Sequence, residues 1–177
     1  MKTSTGKLNP LVTLRQTKMH RPPPTRYLVV RQRLWERLDK GMSHTLILVS
    51  APDEYGKTTL VSSWIEGMQS GDKQKQRSVS MPATWLSLDD NDSDVMLFME
   101  YLIEALRNNF EGACVKTLEL ILSSQRPPLN VITTSLLNEI DQLPKSFILV
   151  LDDYQKIQGQ AVHNLLDELL QHSSPLL

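Results

Sequence analysis

The stretch LILVSAPDEYGKTTLVSSW, residues 46–64, passes from an apolar, β-branched run through a Gly-Lys-Thr turn into a second apolar segment. A short run such as 45–50, bounded by turn residues, predicts a strand buried on both faces. The spacing after Lys57 predicts a helix to Met68. A lysine that opens a helix faces the positive end of the macrodipole, a conflict worth on the order of 0.3 kcal/mol or more. An anion placed there removes it, because backbone N–H groups and the ammonium then converge on one charge. The pattern therefore reads as a phosphate-binding loop formed by Ala51, Pro52, Asp53, Glu54, Tyr55, Gly56, Lys57, Thr58 and Thr59. In that assignment Lys57 reaches the β- and γ-phosphates and the Thr58 hydroxyl ligates Mg²⁺. The plainer alternative is an exposed lysine in an ordinary strand-to-helix turn. Two features depart from the motif: Ala51 stands where its first glycine belongs, and Asp53 and Glu54 add two carboxylates.

A second feature lies 95 residues beyond Lys57. The run SFILVL, 146–151, predicts a buried strand and ends in Asp152 and Asp153. Adjacent carboxylates at the end of a buried strand repel one another unless a cation or donor compensates. The pattern fits the acidic, Mg²⁺-binding strand of a phosphate-loop NTPase, with Asp152 aimed at the metal and Asp153 at the place of a water-activating, catalytic carboxylate. Alone, the pair reads equally well as solvated turn acids.

Between and around these features, strands and helices alternate. The recurrence of Val30, Leu34 and Leu38 every four residues, closed by Lys40 and Gly41, predicts a helix. ATWLSLDD predicts a strand. Asp92 or Ser93 is the expected cap of a helix whose face is Val95, Phe98, Met99, Leu102 and Leu106. VKTLELIL and VITTSLLNEIDQL, separated by Pro127 and Pro128, and AVHNLLDELLQH predict three more helices. Residues 70–80 read as a polar, mobile loop, and residues 1–24, ending in three prolines, as an extended arm ahead of a domain over 25–177. The alternation argues for α/β layering around a parallel sheet.

Composition closes off other classes. A chain of 177 residues, 40% hydrophobic and with net charge -1, is long enough for one domain and lacks a strongly basic nucleic-acid surface. No stretch approaches the roughly 18 apolar residues of a membrane span, and the basic N-terminus lacks the apolar core of a secretory signal. The single Cys114 cannot form an internal disulfide, so it reads as a structural thiol in a reducing, cytoplasmic compartment. No Cys/His cluster has metal-ligand spacing. His163 reads as a surface or helix-interior residue, and Arg31 and Arg33 either solvate their helix or contact a nucleotide.

Several stretches together resemble the nucleotide-binding domain of the MalT-like, LuxR-family transcription regulators, large signal-transducing ATPases of the STAND class. They are TKMHRPPPTRYLVVRQRLWERLDKG, LILVSAPDEYGKTTLVSSW, TWLSLDDNDSDVMLFMEYLIEAL and SFILVLDDYQKIQ, with VHNLLDELLQHSSP after them. The resemblance spans roughly residues 12 to 175. It implies a three-layer P-loop NTPase fold and an ATP/ADP switch with slow or no hydrolysis. It further implies self-association in a full-length relative, whose sensor and DNA-binding domains lie outside this segment. The family's loop usually reads S-A-P-A-G-F-G-K-T-T-L, so Ala51 conforms while Asp53 and Glu54 replace Ala-Gly. If position 54 needs φ > 0, Glu54 costs on the order of 1 kcal/mol, and a carboxylate at about 4 Å from a phosphate adds about 1 kcal/mol even in water. The resemblance also implies a strand beyond residue 177, carrying a sensor residue, so the chain reads as truncated before it. Two other readings compete: a degenerate fragment acting only through protein-protein interaction, and a small-molecule kinase, for which no basic lid segment is found.

Overall fold

The computed structural model describes residues 14–24, 29–69 and 81–172. Among these residues, six α-helices and two strands follow the apolar periodicity of the sequence. They are α1 (Gln32–Gly41), α2 (Lys57–Gln69), β1 (Ala83–Ser87), α3 (Val95–Arg107), α4 (Val115–Leu122), α5 (Leu129–Asp141), β2 (Ile148–Asp152) and α6 (Gln160–His172). The strands pair in parallel, from Ala83 opposite Ile148 to Ser87 opposite Asp152. Parallel pairing needs a long crossover, here supplied by α3, α4 and α5.

Alternation along the strands divides the interior into two clusters. Trp85, Ile148 and Val150 join Trp35, Leu38, Trp64, Ile65 and Met68 from α1 and α2. Leu86, Leu149 and Leu151 join the apolar faces of α3 to α6. Helices thus cover both faces of the strand pair, the α/β arrangement expected from the sequence. The predicted stripe on α3 is the centre of the larger cluster: Phe98, Met99, Leu102 and Leu106 are wholly buried, with Val95 at the margin.

Three details differ from the expectations above. The segment 46–50 is irregular rather than a buried strand. Among the described residues β2 pairs only with β1 and no strand lies beside 46–50, so its backbone has no ladder to join. Ile47 and Val49 still pack on the tryptophan cluster, but Leu46 and Leu48 are 62% and 82% exposed. Val30 lies ahead of α1 and is exposed, and Trp35 and Leu38 bury that helix instead. The cap of α3 is Asp94, whose carboxylate accepts from Met96 N and Leu97 N at 2.9 and 3.0 Å. Asp92 instead closes a capping box with Asp89 around the 3₁₀ turn Asp90–Ser93. The stretch 70–80 lies outside the described residues.

The described segment 14–24 is anchored. Its 3₁₀ turn Gln16–Met19 buries Lys18 and Met19, and Arg21 donates to the carbonyl of Ser62 in α2 at 2.7 Å. Cys114, in the left-handed region at φ 54°, is buried, and that burial pushes its thiol up to about 12. The expected structural, unreactive thiol is what such an environment produces. Among the described residues no helix is long and apolar enough to cross a membrane.

Candidate functional site

The Gly-Lys-Thr turn and the Asp-Asp strand end meet. α2 begins at Lys57 and β2 ends at Asp152, and both are held by the tryptophan cluster beneath them. This puts the Thr58 hydroxyl 2.9 and 3.0 Å from the two carboxylate oxygens of Asp152, across 94 residues of sequence. Burial, with the neighbouring charge of Asp153, pushes the Asp152 carboxyl above its usual range, although the Thr58 bond works the other way. A half-buried carboxylate facing a hydroxyl is short of positive charge, which a hard divalent cation would supply. The donors fit Mg²⁺ chemically, since both are oxygens and this ion keeps several waters rather than taking a full set of side chains. Among the described residues no group of three or more His, Cys, Asp or Glu forms a self-sufficient metal cage.

Asp153 is engaged by its own turn. It sits in the left-handed region at φ 60° and is bound by Lys156 at 2.9 Å and Gln155 at 3.0 Å. The Lys156 ammonium beside it holds its carboxyl below the usual range.

The loop itself runs from Ala51 to Gly56, with Pro52, Asp53, Glu54 and Tyr55 exposed and Lys57, Thr58 and Thr59 half-buried. The Lys57 ammonium folds back onto the loop, donating to Ala51 O at 2.8 Å, Pro52 O at 3.1 Å and Asp53 Oδ1 at 3.4 Å. Gly56 has φ 76°, and Glu54 has φ 66°. The sequence-based concern over position 54 is therefore realised: a side chain occupies a left-handed position that costs an L-residue on the order of 1 kcal/mol. Glu54→Gly relieves that strain but gives the unfolded chain more freedom. The net expectation is a gain of about 0.5 kcal/mol in denaturant unfolding, and a loss of stability would contradict the strain.

Two further contacts bear on the site. Arg31 donates to the Tyr55 carbonyl at 3.5 Å, an exposed contact with the loop. Tyr154, directly after the acidic pair, hydrogen-bonds Nδ1 of His163 on α6, with the rings edge to face at 5.5 Å. His163 is thus half-buried and occupied within the fold, tying α6 to the end of β2. That bond joins side chains nine residues apart, beyond one helical turn, and no local pattern announces it.

The arrangement is an α/β unit in which a Gly-Lys-Thr helix start faces an acidic strand end. Three relatives stand close to it in sequence. The chain is 30% identical to the HTH-type transcriptional regulator MalT of Cronobacter sakazakii, 32% to that of Serratia proteamaculans and 29% to that of Klebsiella pneumoniae. Each match covers 156 residues, 88% of this chain and 16% of the relative. The chain therefore spans about a sixth of the length of these relatives. No family model matches it. What the comparisons show is similarity of this segment to a stretch of those three regulators.

Proposed function

We propose that this segment is the ATP/ADP-binding switch domain of a signal-responsive transcription regulator, with slow or no hydrolysis. The observation that carries the reading is the Thr58–Asp152 contact, which joins the two sequence features that a Mg²⁺-nucleotide site of the P-loop NTPase class requires. Similarity to regulators named MalT supports the regulatory half. In this reading Ala51 to Thr59 cradle the phosphates, Lys57 pairs with the β- and γ-phosphates, and Thr58 and Asp152 hold Mg²⁺, which neutralises phosphate charge when bound. Asp153 would orient water. A base held by Lys156 with its proton affinity lowered is a weak proton acceptor, consistent with slow turnover.

Calorimetric titration of the 177-residue chain with Mg-ATP and Mg-ADP tests the reading. Saturable binding is expected, lost in Lys57→Ala. Asp152→Asn adds a thermodynamic signature. A carboxyl whose folded pKa is raised is a cost at neutral pH, and the folded state gains on the unfolded as pH falls through that value. A neutral amide should therefore raise the melting temperature of the ligand-free chain while removing Mg²⁺-dependent stabilisation by nucleotide. A folded chain that binds no nucleotide, or binds equally well without Lys57, overturns the proposal. The exposed Leu46 and Leu48 favour a second reading, an interaction fragment without nucleotide; under it, both substitutions would leave partner association intact.

A further inference from the structure

Lys57 carries three N–H donors, and three oxygens of its own loop receive them: the carbonyls of Ala51 and Pro52 and the carboxylate of Asp53. The carbonyls are neutral dipoles, whereas Asp53 brings a full charge 3.4 Å from the ammonium. Its side chain is 91% exposed and is not packed against the core. In the phosphate-loop assignment on which this inference rests, the same ammonium serves the β- and γ-phosphates. We propose that Asp53 is a built-in counter-ion of Lys57, competing with nucleotide phosphate and selecting against a triphosphate relative to a diphosphate.

The selectivity follows from where charge is added. A diphosphate places its terminal group at the helix start, where backbone N–H groups and the ammonium both receive it. A triphosphate extends a further anionic group toward Lys57, and so toward the carboxylate already seated there. Both the lost ion pair and the direct repulsion then count against it. An interaction between unit charges at about 4 Å in bulk water corresponds to roughly fivefold in an equilibrium constant. Because Asp53 lies at the surface, dissolved salt should shrink its influence.

The test is calorimetric titration of the full chain and of Asp53→Asn and Asp53→Ala with Mg-ATP and Mg-ADP, at low and high ionic strength, with Lys57→Ala alongside and circular dichroism as the fold control. Both Asp53 variants should tighten Mg-ATP about fivefold and Mg-ADP about twofold or less, with the difference reduced at high salt. Unchanged or weaker Mg-ATP binding in the Asp53 variants, with the parent chain still binding through Lys57, overturns this inference and leaves the phosphate loop standing. Equal tightening of both nucleotides removes the selectivity. Absence of binding in every folded variant overturns the phosphate-loop reading itself and this inference with it.

Discussion

Replacing Lys18 by Met should destabilise the chain by about 3–5 kcal/mol, the cost of leaving a buried carboxylate without its partner. Lys18 is 9% exposed. Its ammonium bonds Asp92, lies 3.1 Å from Asp89 and sits 4.4 Å above the ring of Tyr101. Asp92 is wholly buried, and its Oδ1 has no hydrogen-bond partner among the described residues. Its Oδ2 receives both Lys18 and the backbone N–H of Asp89. Removing the ammonium leaves one backbone donor to satisfy a full charge in the interior. In a chain of this size the effect corresponds to a fall on the order of 10 °C in melting temperature. The double variant Lys18→Met/Asp92→Asn should recover much of the loss, because the uncompensated charge goes with the second change. A loss below about 1 kcal/mol in the single variant would mean that the pair behaves as a solvated surface bridge.

The second large effect belongs to Gly159. A Cβ there would lie 2.1 Å from the carbonyl oxygen of Ser93, 3.0 Å from its carbonyl carbon and 3.3 Å from its Cα. These are backbone atoms of the turn after β1, and they cannot rotate aside as a side chain would. Gly159 is also fixed from its own side, since its carbonyl accepts from Val162 N at 3.0 Å to open α6. The neighbouring Gln158 N donates to Ser93 Oγ at 3.0 Å. Gly159→Ala must therefore separate the start of α6 from the 3₁₀ turn that carries Asp92, at about 3 kcal/mol by the scale of overpacking in ordered interiors. Gly112→Ala makes the contrast. Its added Cβ meets nothing within 4 Å, and only its φ of +71° resists substitution, so about 1 kcal/mol is expected. Chemical denaturation of both variants measures the difference. Equal losses would remove steric contact with Ser93 as the reason for glycine at 159.

Much of this architecture was legible in the sequence. The helices α3 to α6 carry strong apolar periodicity, and their stripes became the larger core because such a face has one low-energy placement. The acidic end of β2 and the Gly-Lys-Thr start of α2 were likewise readable, since both are local patterns with one charge logic. The run 45–50 misled for an equally physical reason. Apolar, β-branched residues state a preference for burial and extension, but a strand exists only where another backbone supplies its hydrogen bonds. None does so among the described residues. Asp92 misled in the same way, because Asp89, Asp92 and Asp94 are all competent caps, and only the turn geometry assigned Asp94 to α3.

The sequence by itself therefore determined the helices, the parallel α/β class and the chemical identity of the groups at the candidate site. Those properties follow from periodicity and residue type within one segment. Tertiary structure alone decided that the Thr58 hydroxyl meets Asp152, that Lys18 enters the interior against Asp92, and that Lys57 rests on its own loop with Asp53 as counter-charge. Two of these join residues more than 70 positions apart, and the third depends on the loop's backbone angles. Pairing at such separations is set by how strands and helices pack, which no local preference encodes.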